Sequence, residues 1–389
     1  MGVPETIIVH VTGTDRPGIT VGLLNILASA ETTILDMEQT VVHDRLNLSL
    51  HVDIPEGAST VKDLLYYGWQ NSMNVEFEVV DADVWPMSGN QRHAVTVLGS
   101  DLTASALAGV AEAIAGGGGN IDRIAQLSRY PVFSYELIVS GGKPEDMRQR
   151  LLQASADHGV DVAIQREGLG RRAKRLVFLD VDSTLIQDEI IDLLADEAGV
   201  ADQVAAITVS AMQGDIDFTA ALRERVALLA GLDQAALSRA QERVRLTPGA
   251  RTFVRTLKRL GYTTAAVSGG FQFFVDKVGA DLGIDHVFAN ELEMADGVLT
   301  GRLIGPIVDR KRKAELLVDL AHRQGVPLEQ TVAVGDGAND LDMLATAGLG
   351  VAFNAKPIVQ EAADTKVSVP YLDAILFVLG IRREDVEES

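Results

Sequence analysis

The stretch LVFLDVDST, residues Leu176 to Thr184, constrains this chain more tightly than any other. Four apolar residues running into Asp180 and Asp182 read as a buried strand. A spacing of two puts both carboxylates on one side of an extended chain, at the carboxyl end where α/β folds place their ligands. One carboxylate there can attack a phosphorus atom, while the other supplies or removes the proton on the leaving oxygen. Paired acids also occur in solvated turns, so the reading rests on three further segments.

The first is YTTAAVSGG, another strand, ending in Ser268 and Gly269. It offers a hydroxyl and a backbone N–H to phosphate oxygens. The second, DRKRKAELL, sets Lys311 and Lys313 at a helix start, where a cation opposes the dipole unless it has an anion to hold. Of the two, Lys313 is the expected functional residue. The third, TVAVGDGANDLDM, is an apolar strand followed by Asp336, Asn339 and Asp340, hard oxygen ligands suited to magnesium.

These four segments, in this order, resemble the four motifs of the haloacid dehalogenase superfamily. The resemblance implies a Rossmann-like α/β core, with Asp180 as nucleophile, Asp182 as general acid and then base, and Ser268, Gly269 and Lys313 holding the phosphoryl oxygens. It also implies a Mg2+ ion held by Asp180, the backbone carbonyl of Asp182, and Asp336, with Asn339 and Asp340 in support. Between the first and second motifs lies a helical insertion, through AMQGDIDFTAALRERVALL, that resembles the cap of the phosphoserine phosphatase family. Carried over, Glu189 binds a substrate ammonium, Arg225 its carboxylate, and Met212 and Phe218 shield the pocket, so O-phosphoserine is the expected small-molecule partner. One acid and one guanidinium suit a zwitterionic amino acid. Phe218 and Arg225 are seven apart and share a face if one helix carries both. Without that resemblance, Glu189 reads as an exposed helix-start acid, Arg225 as a member of a surface pair, and Met212 and Phe218 as core. Another small phosphate, a phosphotransfer reaction, or a sensor with a catalytically silent scaffold are the competing readings.

The N-terminal half repeats one grammar twice. TIIVHVTG, ITVGLLNILASA, TILDMEQTVV, LNLSLHVDI, a helical stretch near LLYYGW and NVEFEVV read as βαββαβ, and the same order recurs from His93 to about Gln165. Each copy resembles the ACT domain, a βαββαβ (ferredoxin-like) module that binds amino acids where copies pair. The loop GTDRPGI then implies a regulatory amino-acid site at Gly13, Asp15, Arg16, Gly18 and Ile19, with Asp15 serving the amine or capping the helix. Serine is the expected effector. The second copy has GSDLTAS in the equivalent place and lacks the Arg-Pro-Gly, so it is expected to be structural or dimer-forming. The run Gly116 to Gly119 reads as a helix stop and turn, because no lysine or phosphate-loop register accompanies it. Domains are expected at residues 1–88, 89–168 and 169–389, the last divided into a core (172–188 and 246–389) and a helical cap (189–245).

Composition narrows the function classes. A formal net charge of −21 opposes nucleic-acid or anionic-membrane partners. The basic run RRAKR, Arg171 to Arg175, is expected to be a solvated linker. With no cysteine, thiol nucleophiles, disulfides and zinc-thiolate sites are excluded. No apolar run is long enough to span a bilayer. A homodimer in the cytoplasm is the expected form.

Overall fold

Every second residue of Arg45–Ile54 is buried, from Leu46 to Ile54, which is the burial of a strand with one face on a core. A computed structural model describes residues 5–55, 59–80, 92–213 and 215–387. The chain divides into two units, Met1–Gly89 and Asn90–Ser389. The expected boundary at residue 88 lies outside the described residues.

The first unit runs β1 (Glu5–Thr14), α1 (Ile19–Ser29), β2 (Thr33–Val42), β3 (Arg45–Ile54), α2 (Thr60–Gln70) and β4 (Asn74–Val79). The antiparallel sheet has the order β2-β3-β1-β4. Val9, Val11, Leu48 and Leu50 on one sheet face pack against Leu23 and Leu27 of α1 and Leu64 of α2.

The second unit opens with the same order: β5 (Arg92–Gly99), α3 (Ala104–Gly116), β6 (Gly119–Ser128), β7 (Phe133–Gly141), α4 (Pro144–His158) and β8 (Asp161–Arg166), in a sheet β6-β7-β5-β8. The two copies start their first helix differently. Thr103 caps α3 by accepting from the Ala106 N–H, whereas α1 begins at Gly18 in the left-handed region, with no side-chain cap. Asp15 therefore does not cap α1, contrary to one of the two roles expected of it. The glycine run ends α3 and turns at Gly118 (φ 78°) into β6, as expected.

A short helix, α5 (Leu169–Arg172), leads into the C-terminal α/β core. Here the linker expectation fails. Arg171 is buried, with its Nη1 2.6 Å from Glu136 of β7 and 3.4 Å from Glu167. Lys174 is also buried and donates from Nζ to the Glu329 carbonyl. A basic run reads as solvated because lone cations are costly to bury; acids from a distant strand remove that cost. The βαββαβ unit is moreover bonded to the core elsewhere, Asp161 accepting from the Ser368 N–H and Gln165 donating to the Val378 carbonyl.

The core proper contains β9 (Leu176–Asp180), then four helices: α6 (Ile190–Ala198), α7 (Ala201–Gln213), α8 (Phe218–Ala227) and α9 (Gln234–Glu242). There follow α10 (Ala250–Arg259), β10 (Thr263–Phe271), α11 (Gln272–Leu282), β11 (His286–Ala295), β12 (Val298–Ile304), α12 (Arg310–Gln324), β13 (Thr331–Gly335), α13 (Leu341–Thr346), β14 (Gly350–Phe353), α14 (Pro357–Ala362) and β15 (Thr365–Val367). The sheet order is β12-β11-β10-β9-β13-β14-β15, parallel from β11 to β15 with β12 antiparallel at the edge. Without β12 this is the doubly wound order, and β9 lies where the winding reverses, the crevice in which such sheets bind ligands.

The helices α6 to α9 leave and rejoin the core through two adjacent segments. Gln187 N–H donates to Arg245, Thr247 N–H donates to Leu185, and Arg245 pairs with Asp188 at 2.6 Å. The β11–β12 hairpin carries the far side of this cap: the Gly231 N–H donates to the Leu299 carbonyl, and the Leu299 N–H donates to the Leu232 carbonyl.

Replacing Arg171 with Met would leave Glu136 and Glu167 in place without their shared cation. We expect a loss of about 3 kcal/mol in the urea stability of the second unit. The exposed neighbour Arg175→Ala should change it by less than about 0.5 kcal/mol, and equal effects would contradict the buried pairing.

Candidate active site

Strand β9 delivers Asp180 to the sheet end, and the chain turns at once through Val181–Leu185. Ser183 sits in the left-handed region (φ 57°), strained for a non-glycine residue, and its hydroxyl donates to Glu189 Oε1 at 2.8 Å. Thr184 donates to Asp336 Oδ1 at 3.3 Å. The turn thus ties the first motif to the cap on one side and to the fourth motif on the other. Sequence reasoning passed over both hydroxyls; their place directly after the DxD pair was the available signal.

Lys313, fully buried on α12, donates from Nζ to Asp180 Oδ1 and to Asp340 Oδ1, both at 2.7 Å. Asp309 caps α12 by accepting from the Arg312 N–H, which fixes the turn that carries the lysine. Lys311, two residues earlier, is exposed and lies 3.6 Å from Glu315. Asp340 has no freedom to turn: its Oδ2 accepts from the Gly337 N–H, and its carboxyl packs on Gly335, where an added Cβ would lie 2.5 Å from it.

Asp182 faces the other wall. Its Oδ1 accepts from the Ile190 N–H at the start of α6, and its Oδ2 from the Ser268 hydroxyl at 2.8 Å. Ser268 in turn accepts from the Gly270 N–H. Its hydroxyl proton is therefore engaged by a carboxylate here, a partner that the sequence reading did not anticipate. Asn290 positions the adjacent loop, donating to the Gly269 carbonyl and accepting from the Val308 N–H, both at 2.8 Å.

Burial, and after it the charge of Asp340, pushes the Asp180 carboxyl well above the usual carboxylate range despite Lys313. Asp182 is raised to about 6 by burial and by Glu189, and Asp336 to about 7 by burial and then by Asp340 and Glu189. Burial alone would lower the Lys313 ammonium, but Asp180 and Asp340 outweigh it and raise its pKa. Carboxylate oxygens of Asp180, Asp336 and Asp340 all lie within 4.8 Å of one another. Three acids around one ammonium leave uncompensated negative charge among hard oxygen donors, a set that fits a divalent cation.

The cap supplies the remaining residues. Phe218 and Arg225 both lie on α8, and Phe218 reaches the catalytic loop: an added Cβ on Gly269 would be 3.2 Å from its ring. Arg225 bonds Thr208 of α7 through Nη1 at 3.3 Å, and its own helix carbonyl at Ala221 through Nε. Burial lowers its pKa, against the opposing charges of Asp192 and Glu189. Glu189 is thus within electrostatic reach of Asp182, Asp336 and Arg225 together. Thr208 and Asp192 were not singled out in the sequence, where they look like ordinary helix residues. Asn339 is half-buried beside Gly337. Met212 belongs to α7, but its side chain lies outside the described residues.

The GTDRPGI loop belongs to the first unit. Asp15, Arg16 and Gly18 are exposed at its surface, while the Asp15 N–H is bonded to the Asp44 carbonyl. The Ile19 side chain is buried in the core with Leu23 and Leu27, because it opens the apolar face of α1. Gly13 is also buried, close against Met73.

Comparison with known proteins assigns each region. Residues 177–345 match the haloacid dehalogenase-like hydrolase family, and residues 5–78 and 91–165 each match an ACT domain family. A phosphoserine phosphatase of Streptomyces coelicolor is 51% identical over 387 residues, covering 99% of this chain and 94% of that protein. The phosphoserine phosphatase SerB2 of Mycobacterium tuberculosis is 46% identical over 390 residues, covering 99% and 95%. Among solved structures, a phospho-aspartyl intermediate analogue of a phosphoserine phosphatase aligns with TM-score 0.51 at 45% identity, covering 53% of this chain and 98% of that one.

Removing the central cation should be destructive. Lys313→Met leaves Asp180 and Asp340 buried without it, and we expect a loss of about 4 kcal/mol of stability to denaturant. Retention of native stability by this variant would show that the three side chains are not coupled as described.

Proposed function

The chain belongs to the phosphoserine phosphatase family of haloacid dehalogenase-like hydrolases, and on that footing we propose that it hydrolyses O-phospho-L-serine to L-serine and phosphate, the last step of serine biosynthesis. The observation that carries the reading is the buried Asp180–Lys313 pair at the sheet end, beneath a cap whose Glu189 acts electrostatically on both Asp182 and Arg225.

In this reading Glu189 takes the substrate ammonium and Arg225 its carboxylate, while Met212 and Phe218 close the pocket against water. The Asp180 carboxylate attacks phosphorus, the ester P–O bond breaks, and Asp182 gives its proton to the departing serine oxygen. Asp182 then takes a proton from water, whose oxygen attacks the aspartyl-phosphate and releases phosphate with Asp180 restored. Ser268, the Gly269 N–H and Lys313 hold the phosphoryl oxygens throughout. Ser268 exchanges its bond to Asp182 for one to phosphate, which leaves Asp182 free to act. Asp180, the backbone carbonyl of Asp182, and Asp336 would hold a Mg2+ ion, with Asn339 and Asp340 in support. Such an ion supplies positive charge to the phosphoryl oxygens as they gain negative charge.

The domain division at 1–88, 89–168 and 169–389 belongs to the same proposal, with the ACT domains regulating the core. An amino acid, serine foremost, would bind at the loop carrying Gly13, Asp15, Arg16, Gly18 and Ile19. Homodimer formation is supported by β2, an edge strand exposed along its whole length with Ile34, Leu35, Met37, Val41 and Val42 uncovered.

Phosphate release from phosphoserine, phosphothreonine and a sugar phosphate, with magnesium or with chelator, tests the reaction. Metal-dependent release from phosphoserine alone, lost by at least about a thousandfold in Asp180→Asn, is expected; equal rates on all three substrates would remove the cap assignment. Arg225→Lys should raise KM for phosphoserine about tenfold or more through loss of the two parallel bonds, with hydrolysis of an aryl phosphate retained. For regulation, Asp15→Ala should abolish the effect of added serine on the rate without altering the rate in its absence. An unchanged serine response would place the effector elsewhere.

A further inference from the structure

A cavity of about 760 Å³ lies between the second βαββαβ domain and the catalytic core, on elements that the hydrolytic reading does not use. Its charged lining comprises Arg123 of β6, Glu136 of β7, Arg171 on α5, Lys174 and Arg175 just beyond it, and Arg382 near the C-terminus. Five cations against one acid is a concentrated positive site in a chain of net charge −21. Basic side chains on a surface ordinarily spread into solvent, but two of these are held inside: Arg171 and Lys174 are both buried.

Arg171 carries the argument furthest. Its Nη1 is bonded to Glu136 and Glu167, yet its Nε and Nη2 are buried with no acceptor among the described residues. Leaving a buried donor without a partner costs about 1–3 kcal/mol. Nε and Nη2 together form one edge of the guanidinium, an edge that meets an oxyanion through two parallel bonds. Gly380, also in the cavity wall, packs on the guanidinium: an added Cβ there would be 3.1 Å from Nη2 and 3.4 Å from Nη1. Arg175 and Arg382 are exposed on the same cavity, so they can meet a ligand arriving from solvent. Glu136 is the cavity's one acid and is already engaged, 2.6 Å from Arg171 and 3.6 Å from Arg123.

We propose that this cavity binds a phosphate dianion, either free or as a small phosphomonoester, at a site separate from the active site. Arg171 offers the Nε/Nη2 edge, while Arg175, Arg382 and Arg123 surround the remaining oxygens. Counting Glu167, 3.4 Å from Arg171, together with Glu136 leaves three net positive charges, which a dianion matches better than a single carboxylate does. Because the walls come from β6, β7, the α5 segment and the C-terminal chain, an anion seated there ties the βαββαβ domain to the core. Binding to the folded form alone would stabilise that junction by mass action.

The test is equilibrium dialysis of radiolabelled inorganic phosphate against the full chain in chelator, which weakens phosphate binding at a metal-dependent active site. The double variant R175E/R382E should bind at least tenfold more weakly than the native chain, with magnesium-supported phosphoserine turnover within twofold of native. Single Arg175→Ala and Arg382→Ala substitutions, milder in case the double variant folds poorly, should each weaken binding about threefold. Phosphoserine added to Asp180→Asn separates the two sources. Displacement of labelled phosphate at the arginine-dependent site shows that the ester is a ligand, and no displacement shows that the site takes free phosphate. Phosphate affinity unchanged in all three arginine variants, or no arginine-dependent binding at millimolar phosphate, would overturn the proposal.

Discussion

The catalytic half of this protein is organised around one buried ammonium group. Lys313 is fully enclosed, and its two short bonds run to Asp180 on β9 and Asp340 beyond β13. A charge in that position is tolerable only when its partners are fixed, because misplacing either acid leaves an ion in a poorly solvating interior. The fixing is visible on every side. Asp309 caps the lysine's helix, Gly337 and Gly335 lock Asp340, and the parallel pairing of β9 with β10 and β13 sets the position of Asp180. The negative charge left after this pairing, centred on Asp180 and Asp336, is what makes the sheet end a place for a cation and a phosphoryl group.

The cap depends on the same centre. Asp182 accepts from the first N–H of α6 and from Ser268, so the carboxylate assigned to proton transfer also joins cap to core. Ser183, strained in the left-handed region, holds Glu189 from the opposite side of the turn. The cap is anchored again at its exit by Asp188 and Arg245, and at its far end by β12. A motion of the cap is thereby coupled to the hydrogen bonds of Asp182 and Ser268.

The two βαββαβ copies share a fold but differ in what they are attached to. The second is bonded into the catalytic core through Asp161, Gln165 and the buried Arg171, so the core's stability and that of this domain are linked. Its helix start is closed by Thr103, while the first copy keeps an open glycine start beside the exposed Asp15 and Arg16. Duplication has left one copy with a ligand-like loop and given the other a structural task.

Much of the plan was legible from sequence because it rests on local rules. Apolar runs closed by Asp180, Ser268 and Asp336 mark strand ends in a parallel sheet, Lys313 at a helix start asks for an anion, and a repeated βαββαβ grammar marks two modules. The spacing of Phe218 and Arg225 predicts a shared helix face, and one helix carries both. What spacing cannot convey is which distant group neutralises a charge or accepts a proton. That is why RRAKR reads as a solvated linker yet contributes two buried cations, and why the bond from Ser268 to Asp182 was not anticipated. Thr208 and Asp192 around Arg225, and the Asn290 that fixes the Gly269 loop, were invisible for the same reason. Sequence periodicity determined the elements and put Asp180, Ser268 and Asp336 at strand ends, since both depend on neighbours along the chain. The partners of each buried charge were decided only by tertiary structure, because burial and electrostatic compensation depend on residues brought together from separate elements, from 27 to 155 positions apart.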